Sequence, residues 1–451
     1  MNSMFDIGFF ASIYHQIKNP NRIKYYNLLR KRDRLSLEEL KIIQLSRLKL
    51  LVKHCYNNIP YYRELFRKND IRPEDVKSLK DYSRIPVLTK DNIREHFNEL
   101  INPALSKSEI IYDSTSGSTG IPLKLVRSVD DQDYGFALRY RSNAWCGWNY
   151  TDKSVWFVSD TRHISDVEQV KGRFRYWLMN RLVLNTRNIT RNQMESWVKQ
   201  IKQFKPEQVY GYSSLLAEFA HFVLEKGYTF KGIKGVFSTS EVLINRKLIS
   251  EAFNAPVYDQ YGASEIPCIA HECKDGNMHL NIDEVVVEFE DTIYDSDIKK
   301  MVCTPLYLYG MPLLRYDILD CAIPVKKSCT CGLSYPIIEL KVGRLSDNLL
   351  SSSGKLVSGI TLSWYITEAT KGLYQYEIIQ EDFYNFRVRL VTSDAYKTQN
   401  EQSIRELLSE MLSMQDIRIK FEYPERILPG KNGKYRPITS KVVNVLSEEK
   451  I

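Results

Sequence analysis

The sequence predicts an α/β protein with a large multi-sheet α/β N-terminal domain and a small α+β C-terminal domain. The chain has 451 residues, more than one hydrophobic core usually organises, so two domains are expected. In the middle of the chain, short β-rich runs alternate with segments of helical periodicity, which is typical of sheets flanked by helices. From Tyr374 the pattern changes to alternating strands around one amphipathic helix. This part of the chain is expected to form the small domain.

Local signals place the main elements. Ser36 and Glu39 form a capping box before a helix, Asn58–Pro60 ends it, and a second helix runs towards Lys68. In the large domain the predicted strands are Ser154–Ser159, Gln208–Tyr212, Gly235–Ser240 and Val257–Gln260, and the predicted helices are Asp130–Trp145, Ser213–Lys226 and one from Glu241 to Phe253. In the small domain they are strands Tyr374–Ile379, Phe386–Val391 and Ile417–Tyr423 and the helix Ser403–Ser413. Ligands of such sheets gather at the carboxyl ends of the strands.

Composition excludes several functional classes. The net charge of +8 is modest for this length and the basic residues are dispersed, so nucleic-acid binding is not expected. No apolar run reaches about 18 residues, which argues against a membrane span. The N-terminus lacks a basic region and a cleavage site, and eight cysteines without a signal peptide suggest a reducing, cytoplasmic location. The oligomeric state stays open, with a homodimer as one alternative.

A polar loop stands out at Tyr112–Arg127, YDSTSGSTGIPLKLVR. Its glycines permit unusual backbone conformations and close approach of a ligand, and its hydroxyls supply hydrogen-bond donors, so it could cradle polyphosphate. The residues concerned are Ser114, Thr115, Ser116, Gly117, Ser118, Thr119 and Gly120. Neither the Walker order nor GxGxxG is present. A flexible Ser/Gly linker is the alternative interpretation of the loop.

TSGSTGIP resembles the phosphate loop of the adenylate-forming (acyl-adenylate, acyl-CoA synthetase) superfamily, and four later stretches resemble its other motifs in order. They are YGASE at Tyr261–Glu265, RYDILD at Arg315–Asp320, GRLSD at Gly343–Asp347 and NGKYRP at Asn432–Pro437. LLVKHCYNNIPYYRELF, STSEVL and CTCG are most similar to the branch of phenylacetate-CoA ligases and CapK-like proteins of capsular polysaccharide biosynthesis. The resemblance covers essentially the whole chain.

The resemblance implies an AMP-binding adenylation domain, residues 1–347, and a mobile C-terminal domain, residues 348–451, that carries the catalytic Lys434. Tyr261 would stack near adenine, Asp320 would accept hydrogen bonds from the ribose hydroxyls, and Glu265 would bind Mg²⁺. Further nucleotide contacts are implied for Gly262, Ser264, Ser240, Glu241 and Arg344, and Asp347 would be the hinge. Lys431 is the rival of Lys434. The family lysine after the loop proline is absent: Leu123 stands there, and Lys124 should point to the other side of the strand.

Four residues near these motifs form a potential zinc set. Cys273 and His279 follow YGASE, and Cys329 and Cys331 precede GRLSD. Three thiolates and an imidazole complete a tetrahedral structural site, and the resembling branch carries such a site at these places. Free thiols are the alternative, and Cys268 and His271 are spare ligand candidates.

The function implied is that of an ATP-dependent ligase that forms an acyl-adenylate and pyrophosphate from a small carboxylic acid and transfers the acyl group to coenzyme A. The alternatives are an amide ligase with an amine acceptor, acting on a carboxylate of capsule or surface polysaccharide biosynthesis, and a non-catalytic nucleotide-binding relative. By analogy, the acid pocket should involve Val209–Ser214 and Trp156–His163. Nothing in the sequence names the acid.

Overall fold

The structure of the protein is a computed structural model. It describes residues 7–114, 123–158, 170–186, 189–243, 245–291, 297–344, 347–359, 362–363, 365–366, 370, 372–393, 396–397, 399–428 and 435–442. Within this part of the chain, every helix is too short or too polar to span a lipid bilayer.

The N-terminal segment is a helical layer, as predicted. It consists of α1 (Ile7–Lys18), α2 (Pro20–Arg32), α3 (Leu37–Asn58), α4 (Pro60–Lys68), α5 (Leu79–Tyr82) and α6 (Lys90–Glu95), with a 3-10 turn at Pro73–Asp75. The predicted capping box starts α3: the Glu39 N–H donates to Ser36 Oγ and the Ser36 N–H donates to the Glu39 carboxylate. Because Pro60 occupies the first turn of α4, the break between the two helices is fixed by sequence.

An eleven-stranded mixed sheet forms the body of the large domain. In chain order its strands are β3 (Ser154–Val158), β4 (Arg181–Asn185), β5 (Gln208–Tyr212), β6 (Gly235–Thr239), β7 (Val257–Tyr261), β8 (Ala270–Glu272), β9 (Met278–Leu280), β10 (Val285–Asp291), β11 (Lys299–Pro305), β12 (Tyr316–Val325) and β13 (Ile337–Arg344). Their order across the sheet is β10-β11-β12-β13-β9-β8-β7-β6-β5-β3-β4. Strands β3 to β7 pair in parallel and the others antiparallel.

Helices cover both faces of the parallel half. They are α7 (Val129–Ala144), α8 (Val170–Leu178), α9 (Arg191–Phe204), α10 (Ser213–Glu225) and α11 (Arg246–Phe253). Alternation along β3 separates the faces: Phe157 packs with Trp197 and Phe219, whereas Trp156 points to the opposite face and packs with Tyr210. The predicted α/β class is therefore confirmed, and the carboxyl ends of β3, β5, β6 and β7 meet at one edge.

Two details differ from the predictions. The helix expected from Glu241 begins only at Arg246. Ser240 adopts a left-handed backbone conformation, with φ of 69°, directly after β6, and this turns the chain away from a continuous helix. The antiparallel half of the sheet was not predicted as a set of strands. Its inner strands are buried on both faces, as β8 and β9 are throughout, so the alternation that marks a half-buried strand is absent.

The small domain is an α+β unit with its own core. The hairpin of β14 (Leu349–Leu350) and β15 (Leu356–Val357) precedes β16 (Leu373–Gln380), β17 (Asn385–Thr392), α12 (Gln399–Leu412), β18 (Arg418–Glu422) and β19 (Ile438–Ser440). The last four strands form a sheet of order β18-β17-β16-β19. Its buried side chains, from Leu349 to Ile438, form a cluster separate from the cores of the large domain. The boundary at residue 347 remains a prediction that this separate core supports.

Candidate active site

A short hairpin carries the predicted phosphate loop. β1 (Ile110–Ser114) pairs with β2 (Lys124–Ser128), and Ser114 opposite Lys124 is the last pair. The loop residues Thr115, Ser116, Gly117, Ser118, Thr119 and Gly120 lie outside the described residues. Arg127 binds the base of the hairpin to YGASE, because it donates at 2.9 Å to Asp113 Oδ2 and also to the backbone carbonyl of Ser264. The two motifs therefore meet, and Arg127 is a contributor that sequence reasoning missed.

The residue after the proline of the phosphate loop, Leu123, and its neighbour Lys124 also point in the predicted directions. Leu123 is buried, with 1% of its surface exposed, while Lys124 is exposed. Alternation along the strand thus directs Lys124 away from the side on which Leu123 packs. Lys124 cannot replace a lysine at position 123.

Tyr261 and Asp320 are in direct contact. Tyr261 ends β7 and Asp320 lies on β12, and the Tyr261 hydroxyl donates at 2.9 Å to Asp320 Oδ2. Burial, and then the neighbouring Asp320 carboxylate, raise the pKa of Tyr261 well above its usual value, so the phenol stays protonated. Asp320 stands opposite Arg344 in the β12–β13 register. YGASE, RYDILD and the end of β13 therefore converge across the sheet.

Glu265 is a buried carboxylate, with 6% of its surface exposed. The Tyr316 hydroxyl donates to Glu265 Oε1 at 2.9 Å, and Lys90 Nζ lies 4.0 Å from the same oxygen. Burial, and then Glu265, raise the pKa of Tyr316, which keeps this donor protonated. Glu265 thus lies beside RYDILD, next to the residue that Arg127 of the phosphate-loop hairpin contacts, and a buried carboxylate there suits a hard divalent cation. Sequence reasoning missed Lys90 and Tyr316, although Tyr316 lies inside RYDILD.

Gly262 is required by packing. A Cβ at this position would stand 2.6 Å from the backbone nitrogen of Cys268 and 3.0 Å from the Ile266 carbonyl oxygen. The chain closes a tight turn here, in which the Ala263 N–H donates to the Ile266 carbonyl. The turn leaves Ser264 exposed and directs Glu265 inward.

Glu241 connects the two domains. Its Oε2 accepts a hydrogen bond of 2.8 Å from the backbone N–H of Ser214, at the start of α10, and its Oε1 accepts one of 3.0 Å from the backbone N–H of Tyr435. Ser240, its neighbour, is the left-handed residue at the end of β6. Lys434 lies outside the described residues. The adjacent Tyr435 nevertheless contacts a residue that the resemblance assigns to the nucleotide pocket.

Asp347, the predicted last residue of the large domain, is contacted by residues of the small domain. Arg436 donates to its carboxylate, and Asn348 Oδ1 accepts a hydrogen bond of 3.1 Å from the Gly359 N–H. A Cβ on Gly359 would fall 1.8 Å from the Asp347 carbonyl oxygen, so only glycine fits. The expected hinge is thus held by the segment after Lys434 on one side and by Gly359 on the other.

The four predicted zinc ligands form one cluster. One ligand atom from each of Cys273, His279, Cys329 and Cys331 lies within 4.8 Å of the others. Cys273 Sγ is 3.6 Å from Cys329 Sγ, and Cys331 Sγ is 3.4 Å from His279 Nε2. Three sulfurs and one imidazole nitrogen at such spacing fit a tetrahedral Zn²⁺ site with no open position. The β8–β9 hairpin and the β12–β13 connection thereby meet.

Neighbouring groups orient these ligands. His279 Nδ1 is 2.7 Å from the Tyr335 carbonyl, to which it donates, so the lone pair of Nε2 faces the thiols. Burial lowers the pKa of His279, which favours the neutral ring that a metal requires. Asn277 Nδ2 donates to Cys329 Sγ at 3.1 Å. The spare candidates are not in the cluster, and His271 Nε2 instead contacts Asn143 Oδ1 at 2.9 Å.

Known proteins resemble the chain along most of its length. Residues 349–441 match the CapK C-terminal domain. Protein CapK of Staphylococcus aureus is 26% identical over 423 residues, which are 91% of each chain. The phenylacetate-coenzyme A ligase of Aromatoleum evansii is 25% identical over 64% of this chain and 67% of its own. The chain is a relative of the CapK and phenylacetate-CoA ligase proteins. The resemblance predicted from the motifs is therefore confirmed.

A solved structure shares the fold of this CapK relative. The 2-hydroxyisobutyryl-CoA ligase in its postadenylation state has a TM-score of 0.74 and 18% identity, over 93% of this chain and 94% of that chain. The same ligase in its thioesterification state has a TM-score of 0.57 at the same coverage. The two-part fold is thus that of the adenylate-forming ligases. The prediction of an enzyme of the AMP-forming ligase class is confirmed at the level of that class.

Proposed function

We propose that the protein activates a carboxylic acid with ATP, forms an acyl-adenylate with release of pyrophosphate, and transfers the acyl group to coenzyme A. The observation that carries this proposal is the convergence of Tyr261, Asp320 and Glu265 beside the hairpin that bears TSGSTG. The similarity to phenylacetate-CoA ligases supports coenzyme A as the acyl acceptor.

Each motif has a role in this proposal. Asp320, held by Tyr261, would accept from the ribose hydroxyls, and the loop that Arg127 positions would contact the phosphates. Glu265 would hold Mg²⁺, which neutralises triphosphate charge when bound. The other nucleotide contacts proposed are Ser114, Thr115, Ser116, Gly117, Ser118, Thr119, Gly120, Ser240, Glu241, Gly262, Ser264 and Arg344. A carboxylate is a weak nucleophile that phosphate repels, so positioning and charge neutralisation must supply most of the catalysis.

Lys434 would bridge the substrate carboxylate and the α-phosphate. The bond between Tyr435 and Glu241 supports this role, because it holds the adjoining residue against the large domain. The higher TM-score against the postadenylation state than against the thioesterification state of one enzyme supports the same domain arrangement. Rotation at Asp347 would then remove Lys434 and admit the acceptor. We place the domain boundary at this residue, in agreement with the match of residues 349–441.

Zn²⁺ would be held by Cys273, His279, Cys329 and Cys331. Four protein ligands leave no position for substrate, so the ion would be structural. Its contribution would be to join the β8–β9 hairpin to the β12–β13 connection, near the end of the large domain.

The second candidate is an amide ligase that uses an amine acceptor in surface polysaccharide synthesis. The match to CapK spans 91% of the chain, against 64% for the Aromatoleum ligase, and the C-terminal domain matches the CapK type. That domain contributes to acyl transfer in the proposed cycle, so its type bears on the acceptor. This observation favours a CapK-type function over that of a phenylacetate-CoA ligase, and an amine is the acceptor that we propose for it.

The first experiment is ATP/pyrophosphate exchange with hydroxylamine trapping over aryl, fatty, amino and uronic acids. Exchange with one class establishes adenylation and identifies the acid. Consumption of free thiol with coenzyme A then supports the thioester, and amide formation without thiol loss supports the amine. Absence of exchange with every acid, while ATP still binds, would contradict the proposed activity.

A further inference from the structure

Two arginines converge on aromatic rings beside the parallel half of the sheet. Arg181, on β4, places its guanidinium carbon 3.6 Å from the centre of the Trp156 ring. Arg139, on α7, lies 5.5 Å from Trp156 and 5.6 Å from Tyr210, and it donates to the Tyr210 hydroxyl at 3.3 Å. We call Arg139, Arg181, Trp156 and Tyr210 the arginine cluster. Trp156 and Tyr210 belong to the two segments expected to line the acid pocket.

The charge of the arginine cluster is not neutralised by a carboxylate among the described residues. Other buried arginines of the same fold have acidic partners: Arg22 pairs with Asp133 at 2.7 Å, and Arg141 pairs with Asp283 at 3.2 Å. Arg181 is only 9% exposed, and its Nε is buried without a hydrogen-bond partner. Because burying an unpaired cation costs free energy, we expect an anionic group of a ligand to bind beside these arginines.

Arg139 is half-buried. Part of its surface stays accessible. Burial acts to lower the pKa of Arg139, but Tyr210 and other neighbours outweigh it, so the pKa is raised and the guanidinium stays charged. Phe136 lies under the same guanidinium, 4.9 Å from ring centre to carbon, and is also partly exposed. A ligand can therefore reach Arg139 while it remains largely shielded from solvent.

A second unpartnered group lies nearby. His15, on α1, is fully buried, and neither of its ring nitrogens has a hydrogen-bond partner. Its ring meets Tyr140 and Tyr150 edge-on, with centroids 6.1 and 5.5 Å apart. Burial, then Arg181, lower the pKa of His15 to about 3, so the ring stays neutral and can donate one hydrogen bond. His15 and Arg181 both contact Tyr140, which Arg181 hydrogen-bonds, and each keeps at least one buried nitrogen without a partner.

The position suits the distal end of an acid bound at the nucleotide residues. Trp156, Tyr210, Phe237 and Tyr258 stand in one row across β3, β5, β6 and β7. Tyr258 precedes Tyr261 by three residues, roughly 10 Å along the strand, and β5 lies two strands from β7, roughly 10 Å across the sheet. Tyr258 and Tyr261 point to opposite faces of β7, and Tyr210 and Tyr261 are roughly 14 Å apart along the sheet. A carboxylate near Tyr261 and an anion near Arg139 can therefore belong only to a long acid that crosses the carboxyl edge of the strands.

We propose that Arg139 and Arg181 bind an oxyanion at the far end of the acid, so that the substrate carries a second carboxylate or a phosphate besides the carboxylate that is adenylated. The inference rests on the proposed function. Guanidinium groups bind both oxyanions in bidentate geometry, and Trp156 and Tyr210 would pack against the carbon skeleton between the two charges. A purely structural stack of arginine on aromatic rings is the competing interpretation.

The test compares acids that share the reacting carboxylate and differ at the other end. The probes are linear diacids from glutarate to dodecanedioate, their half-amides, and the matching ω-phosphono acids, assayed by ATP/pyrophosphate exchange and by calorimetric binding to the full chain. We expect kcat/KM for at least one doubly anionic probe to exceed that for its half-amide by at least about tenfold, mostly through KM. The diacid against the phosphono acid of equal length then distinguishes carboxylate from phosphate.

Substitutions test whether the arginines cause the preference for doubly anionic acids. Arg139→Gln should reduce use of the doubly anionic probe far more than use of the half-amide, and Arg139→Lys should restore part of the difference. Arg181→Gln should act in the same way, with the melting temperature as a check on folding because this residue is buried. Arg173→Gln, at an exposed arginine of α8, is the matched control.

Equal use of the half-amide and the doubly anionic acids, or a preference that survives Arg139→Gln, would overturn the inference while leaving adenylation intact. If no acid supports exchange, the proposed function fails. The calorimetric binding measurements then still test whether the arginine cluster binds an oxyanion. Binding of a doubly anionic probe that Arg139→Gln abolishes would support the inference, and no binding of any such probe would overturn it.

Discussion

The backbone N–H of Tyr435 donates a 3.0 Å hydrogen bond to the Glu241 carboxylate. The same carboxylate accepts from the Ser214 N–H at the start of α10. The Glu241 side chain thus contacts both helix α10 of the large domain and the segment that follows the expected catalytic lysine. The Tyr376 N–H also donates to the Tyr435 hydroxyl, so this segment is held to the sheet of the small domain as well.

Lys434→Ala should reduce ATP/pyrophosphate exchange by at least about 100-fold, since a cation that stabilises developing charge is lost. ATP binding and the melting temperature should not change. Lys431→Ala is the matched control and should leave exchange unaffected. Equal activity of the Lys434 variant, or collapse only in the Lys431 variant, would contradict the assignment.

Glu241→Gln should weaken the contact between the domains, because the amide group presents a donor where two backbone N–H groups donate. Exchange should fall by about tenfold, in line with the loss of a hydrogen bond to a charged acceptor. Acyl transfer from supplied acyl-adenylate should be spared. Glu251→Gln, at an exposed position of α11, is the control, and parallel loss of both half-reactions would argue against a role in domain docking.

Asp320→Asn should impair recognition of the ribose. The amide replaces one acceptor oxygen with a donor, so the KM for ATP should rise by at least about tenfold. The wild type should discriminate against 2′-deoxy-ATP, and the variant should discriminate less. Asp317→Asn is a matched control on the same strand, where Asp317 pairs with Lys300 at 2.7 Å. Unchanged discrimination in Asp320→Asn would remove this residue from the ribose site.

Purified protein should contain about one zinc per chain. Cys329→Ser should lose the metal and lower the melting temperature, because the link between Cys273 and Cys329 closes a loop with a sequence separation of 56 residues, worth roughly 4 kcal/mol in a chain-entropy estimate. Cys268→Ser should keep the metal, since Cys268 lies outside the cluster. Elemental analysis checks both variants, and metal-free wild type would end the zinc assignment.

Patterned elements and motif residues could be predicted from the sequence, and relationships between distant residues could not. The capping box at Ser36 and the strand at Gln208–Tyr212 are local and were predicted correctly. The zinc set was predicted because thiols and imidazole are chemically distinctive. Lys90 beside Glu265 had no comparable signal, since a lysine in the first turn of a helix is common and its partner lies 175 residues away in sequence.

The arginine cluster shows the same limit. Arg139 and Arg181 each read as ordinary basic residues, and only the pairing of β3 with β4 and the packing of α7 bring them to one tryptophan. Whether a buried charge is neutralised depends on its neighbours in space. That property cannot be obtained from residue order.

The residues proposed to bind the far end of the acid and the proposed ribose ligand Asp320 lie in different halves of the mixed sheet. The arginine cluster belongs to β3, β4, β5 and α7, in or beside the parallel half, whereas Asp320 and the four cysteine and histidine ligands belong to the antiparallel half or its connections. Tyr261 stands at the junction, as the last residue of β7. Under the roles proposed above, substitutions on β3, β4 and β5 would exchange one acid for another while Tyr261 and Asp320 stay in place. A lineage could in this way diversify its substrates and keep the residues proposed to bind ATP.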